Sequence, residues 1–157
     1  MGLDMYLIKR KKNDEKDDSF NQVAYWRKAN QIHNWFVDNI QDGNDDCGYY
    51  EVSRQQLQEL LSDCRDVLTY ADCELQEMDG GLERIDGEWK QTKMMGRKIT
   101  NKDVVSDILP TTSGFFFGST EYDEWYLRDI EKTIKQINTI LDETDFTEDV
   151  IFYTSSW

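Results

Sequence analysis

Between residues 26 and 37 the chain brings together an aromatic ring, a guanidinium, a carboxamide and its single imidazole: Trp26, Arg27, Asn30 and His33. Read as one helix, Trp26, Asn30, His33 and Val37 share a face, because residues three and four apart are neighbours; Arg27 lies one position round, with Lys28 beside it. That face suits an anionic or planar ligand. Arg27 would pair a phosphate or carboxylate, Trp26 would stack, and Asn30 and His33 would fix orientation. The plainer alternative places Trp26 in the core, leaves Arg27 and Lys28 solvated, and gives His33 one buried hydrogen bond.

Other residues with chemical potential are less well placed. Asp42, Asn44 and Asp46 alternate like the first three ligands of a calcium loop, but Cys47 stands where glycine is needed and Ser53 where the bidentate Glu belongs, so a plain turn is expected. Phe115, Phe116 and Phe117 could stack a ligand, although three aromatic residues in a row also describe a buried strand. Asp4 and Asp123 could act as acid or base; structural duty for one and a favourable helix-dipole position for the other are expected. The phosphate loop, the dinucleotide fingerprint, the nucleophile elbow and the paired-histidine zinc motif do not occur in the sequence. One histidine and three unpatterned cysteines, Cys47, Cys64 and Cys73, point to no metal, no cofactor and no disulfide framework.

These groups need elements to hold them. Alternation over residues 2 to 9 predicts a first strand. Tyr25, Ala29, Ile32, Phe36 and Ile40 predict a helix from about Phe20 to Ile40, and CGYYEV reads as a short strand. Ser53 and Gln56 form a capping box ahead of Leu57, Leu60, Leu61, Cys64, Leu68, Ala71, Leu75 and Met78, which predicts a helix running to Asp79-Gly80-Gly81. Asp86-Gly87 predicts a type I′ hairpin, able to protrude as a β-arm. Asn101 should cap a short helix ending near Pro110, SGFFFGS should be a strand, and Thr120 should cap a long helix carrying Leu127, Ile130, Ile134, Ile137 and Leu141. Val150 to Tyr153 is the last strand, expected beside the first because an exposed apolar strand is an aggregation edge. The architecture is a single α+β domain over residues 1–157: a small, mostly antiparallel sheet packed by three main helices.

A hydrophobic fraction of 38% and an aromatic fraction of 13% are too high for a disordered chain. Thirty-two acids against eighteen bases leave a net charge of −14, which disfavours direct binding to nucleic acid and instead allows the surface to imitate it. No apolar run approaches the roughly 18 residues that span a bilayer, and no leader or lipid anchor is read at the start. A bacterial cytoplasm, with no membrane partner, is expected.

The stretches GLDMYL, VAYWRKANQIHNWF, LPTTSGFFFGSTEYDEWY and the terminal SSW resemble a family of small bacteriophage- and prophage-encoded proteins of uncharacterised function. The resemblance implies a phage origin and a role inside an infected bacterium, and it carries no catalytic residues across. The expected function is a non-catalytic accessory protein that inhibits a host defence system. It would act either by binding a protein component through acidic mimicry of nucleic acid or by sequestering a phosphorylated signal with Trp26, Arg27, Asn30 and His33. The alternative is a small enzyme acting on a nucleotide or phosphorylated metabolite, with His33 as acid or base and Arg27 as electrostatic stabiliser.

Overall fold

Strand β1 (Asp4–Lys11) buries Met5, Leu7 and Ile8 completely. A strand set so deep cannot leave backbone groups unpaired on either edge. Strand β2 (Gln22–Arg27) takes one edge and β6 (Asp149–Ser156) the other, both antiparallel, with β1 and β6 in register from Asp4 opposite Ser156 to Lys11 opposite Asp149. Strand β3 (Tyr50–Val52) pairs with β6 on its far side, so the sheet order is β2-β1-β6-β3. In the computed structural model, which describes residues 2–157, this sheet, a separate two-stranded sheet and four helices make an antiparallel α+β fold.

Pairing along β1 overrides the long helix expected from Phe20. Residues 22–27 alternate, with Ala24 and Trp26 turned inward, and Trp26 lies opposite Met5. Lys28 then adopts a left-handed backbone (φ 56°), and only at Asn30 does helix α1 (Asn30–Asn39) begin. Ala29, Ile32 and Phe36 keep their expected burial, whereas Tyr25 belongs to the strand.

Helix α2 (Arg54–Tyr70) starts as expected, with Ser53 Oγ accepting from Gln56 N (3.1 Å) and Gln56 Oε1 accepting from Ser53 N (2.9 Å). It stops well short of Met78. Asn101 donates to Tyr70 O (2.8 Å) and accepts from Asp72 N (2.8 Å), tying off the helix end, and the chain from Cys73 finds a partner strand of nearly equal length. Strands β4 (Cys73–Ile85) and β5 (Glu88–Ile99) thus form a hairpin turned at Asp86 (φ 52°) and Gly87 (φ 81°), so Leu75 and Met78 are strand residues. The hairpin stands largely in solvent.

Helix α3 (Lys102–Ile108) ends before Pro110. SGFFFGS is a loop and not a strand: Phe116 (φ 57°) and Gly118 (φ 88°) reverse the chain, Phe115 and Phe116 face solvent, and only Phe117 is buried. Helix α4 (Glu124–Glu143) is capped by Asp123, whose Oδ1 accepts from Trp125 N (3.1 Å) and Tyr126 N (3.3 Å); Thr120 has no part in it. Leu127, Ile130 and Ile137 on α4 join Leu57, Leu60 and Cys64 on α2 in the core, where Phe36 stacks on Tyr153 at 3.9 Å. Among the described residues no helix is long and apolar enough to cross a membrane.

Leu61 lies inside this core, so Leu61→Ala should lower the unfolding free energy by roughly 2–5 kcal/mol in chemical denaturation. A loss below about 0.5 kcal/mol, the scale of an ordinary surface change, would place the α2 stripe in solvent.

Candidate functional site

A cleft opens where the β2–α1 junction, the 112–119 loop and the start of α4 meet. Its corner is built around Lys28. Lys28 N donates to Leu3 O (2.8 Å), and Leu3 N donates to Phe116 O (3.4 Å). Gly118 passes so close that a Cβ there would lie 3.0 Å from Lys28 Cβ, and one on Gly2 would lie 3.1 Å from Lys28 Cε. Lys28 and Phe116 are non-glycine residues held at positive φ on either side of this crossing, the kind of local strain that surrounding structure must hold in place. Asn30 does part of that work: its Nδ2 donates to Phe117 O (3.1 Å) and Ser119 O (2.9 Å), and its Oδ1 accepts from Thr112 N (3.0 Å).

The cleft encloses about 400 Å³. Arg27, Lys28 and Arg128 bring three cations to its lining beside the acids Glu121, Asp123 and Asp129, and Trp125 brings a half-exposed indole with the Arg128 guanidinium 4.9 Å from its ring centre. Arg27 also reaches Asp4 (3.3 Å), and Arg128 reaches Glu124 (3.1 Å). The bidentate hydrogen bonds from Arg97 hold the Glu124 carboxyl down to about 2, so Glu124 stays an anion that fixes the start of α4. Asp129 behaves oppositely. Burial pushes its carboxyl up to about 6, against the pull of Lys132 and Gln31 and with a further push from Asp123. The cleft therefore offers cations for an anion, an aromatic face for a ring, and a carboxyl that changes charge just below neutral pH.

Trp26, Asn30, His33 and Val37 do not share one helical face, because Trp26 and its neighbour Arg27 lie in β2 and the helix begins at Asn30. Trp26 is fully buried in β2, its Nε1 donating to Thr133 Oγ1 (2.8 Å), and serves the core. Of Trp26, Arg27, Asn30 and His33, Arg27 alone lines the cleft, and Asn30 shapes its rim from behind. His33 is buried between Tyr153 Oη (2.6 Å from Nδ1) and Asp45 Oδ2 (2.9 Å from Nε2), with the Phe117 ring edge-on to it. Burial pushes the Tyr153 hydroxyl well above its ordinary range, so it keeps its proton, and the imidazole bridges this hydroxyl and the Asp45 carboxyl. Trp157 Nε1 donates to the other oxygen of Asp45 (3.0 Å), completing a chain from core to surface.

Trp125, Arg128 and Asp129 were not singled out as ligand residues, although their spacing of three and four places them on one side of α4. The Asp42 loop is a turn in which Asp46 accepts from Gly48 N, Asn44 and Tyr50. Asp4 accepts from Tyr25 Oη (2.5 Å) and Arg27, and Cys64 is core. Compared with known proteins, the chain matches no family model, no curated protein and no solved structure.

The raised Asp129 carboxyl makes stability pH-dependent with a definite sign. The native state binds a proton more tightly than the unfolded chain between about pH 4 and 6, so this residue's contribution to stability falls as pH rises through that window. Asp129→Asn should therefore gain roughly 1–3 kcal/mol at pH 7 and nothing below about pH 4. Denaturant midpoints measured across that range check it; a gain independent of pH would show that the carboxyl is not the cause.

Proposed function

We propose that the protein is a non-catalytic binding protein that sequesters a phosphorylated small ligand in the α1–α4 cleft, as a phage-encoded inhibitor of a host defence system in the bacterial cytoplasm. The observation that carries this reading is the convergence of Arg27, Lys28 and Arg128 beside Trp125 in a chain whose net charge is −14. Arg27 pairs with Asp4 and Arg128 with Glu124, and Glu121, Asp123 and Asp129 share the lining, so a phosphate binds there by taking over guanidinium contacts that acids of this chain now hold. The phosphate pairs with Arg27 and Lys28, the ring of the ligand stacks on Trp125, and Gln31 and Asp129 supply hydrogen bonds. The phage setting rests on the resemblance read from the quoted stretches alone. The enzymatic alternative draws less, because both ring nitrogens of His33 are engaged and His33 is buried.

Titration with ATP and with a cyclic dinucleotide, followed by tryptophan emission, tests it. Saturable quenching is expected, weakened at least about tenfold by Arg27→Ala and by Arg128→Ala, the effect of losing one charge-assisted contact. Absence of saturable binding to both probes, or unchanged affinity in both variants, removes the reading.

A second reading, acidic mimicry of nucleic acid, is favoured by one observation: residues 38–79 carry twelve Asp and Glu against only Arg54 and Arg65. Association with a basic groove through this segment should weaken steeply with added salt. Capture of a nucleic-acid-binding protein that is indifferent to salt counts against it.

A further inference from the structure

The β4–β5 hairpin carries a feature that the cleft leaves unexplained. Paired residues in a ladder share a face, and faces alternate along each strand. From the base, Cys73 pairs with Ile99, Leu75 with Arg97, Glu77 with Met95 and Asp79 with Lys93, all on one face. Leu82, an odd number of positions beyond Leu75, belongs on the other face by simple alternation. The ladder slips between Asp79 and Gly81, so Gly80 is absorbed as a bulge, Gly81 (φ 100°) pairs with Thr92, and Leu82 pairs with Gln91 on the same face as Leu75. Arg84 and Trp89 follow there. The bulge thus gathers Leu75 (69% exposed), Leu82 (63%), Met95 (58%) and Trp89 (69%) into one uncovered stripe. The opposite face holds the better-covered Met78 and Met94.

Charge identifies what can cover it. Residues 73–99 hold six acids and five bases, a net −1, so the other 130 residues carry −13 of the total −14. Two copies of this chain repel one another nearly everywhere except at this arm. Within the arm the charges are sorted by strand: β4 has four acids and one base, net −3, and β5 has one acid and four bases, net +3. Edge-to-edge pairing of two β4 strands would oppose acids to acids, which guards that edge. Stacking the two apolar faces about a two-fold axis along the arms instead lays each β4 over the partner's β5; the charges on that face are Glu77, Asp79 and Arg84 on β4 and Lys93 and Arg97 on β5, and the axis sets Asp79 over Lys93.

We propose that this face is a homodimer interface, in which the arms of two copies pack face to face with Leu75, Leu82, Trp89 and Met95 buried between them. Asp79 of each copy then lies over the partner's Lys93, and Arg84 over the partner's Trp89, the latter a cation–π pair. An arm about 40 Å long and one sheet-width across buries roughly 800 Å² over both copies, at the low end for specific association, so the dimer is weak and dissociates on dilution.

Sedimentation velocity of the full chain over a wide concentration range tests the proposal. A monomer–dimer equilibrium is expected, abolished by Trp89→Glu and by Leu82→Lys without change in melting temperature, since both side chains lie outside the core. Charge exchange adds a positive control. Asp79→Lys and Lys93→Asp should each stay monomeric alone and associate when mixed, because the two variants carry opposite charge at the stacked centre. A protein that is monomeric at every concentration, or a dimer that survives both Trp89→Glu and Leu82→Lys, overturns the interface.

Discussion

Strand β1 has two edges to satisfy, and how the second is satisfied decides the rest of the molecule. The first goes to β6 along its whole length. The second takes residues 22–27, which removes them from the helix that their spacing also permits. Once Trp26 is fixed opposite Met5, the chain must turn at Lys28 to begin α1 at Asn30. That turn creates the corner into which Gly118 and the 112–119 loop pack. The cleft is therefore a by-product of backbone pairing: its position follows from the β2–β1 register, in which the lining residue Arg27 itself stands opposite Asp4.

The sequence was most informative where a local signal and the tertiary environment agreed. The alternation of Leu3, Met5 and Leu7, the Ser53–Gln56 capping box, the Asp86-Gly87 turn and the apolar stripe of α4 all appear where they were read. The errors share one physical origin. Tyr25 and Leu75 satisfied a helical period by coincidence and were claimed by strands whose partners lie far away or in a later segment. Short-range spacing cannot register a partner that is 22 residues downstream in the hairpin, such as Arg97 opposite Leu75. The same blindness affected the site. Arg27 lies in the cleft, but the helical face of Trp26, Asn30, His33 and Val37 that it was to border does not form, because Trp26 is a strand residue.

Polar side chains do more of the positioning than the apolar pattern suggested. Asn30 holds the loop, Asn101 closes α2, Gln136 covers the open edge of β2 by accepting from Tyr25 N (2.9 Å), and Thr133 receives the Trp26 indole. Each of these carboxamides satisfies backbone groups that would otherwise lack protein partners, and a buried group left so costs about 1–3 kcal/mol. None of these roles has a sequence period, so each becomes visible only with the fold.

The single unmatched residue in the hairpin makes the arm sensitive to parity. Losing Gly80 would leave every remaining pair opposite its present partner and merely straighten the ladder, because the bulge is the one place where a residue has no counterpart. Gaining one residue in β4 beyond the bulge, with the ladder otherwise kept, would move each later β4 side chain to the other face while those of β5 stayed where they are. Divergence of this chain over generations is thus filtered unevenly: the arm tolerates shortening at one point, whereas lengthening there must come in twos to preserve which side meets water.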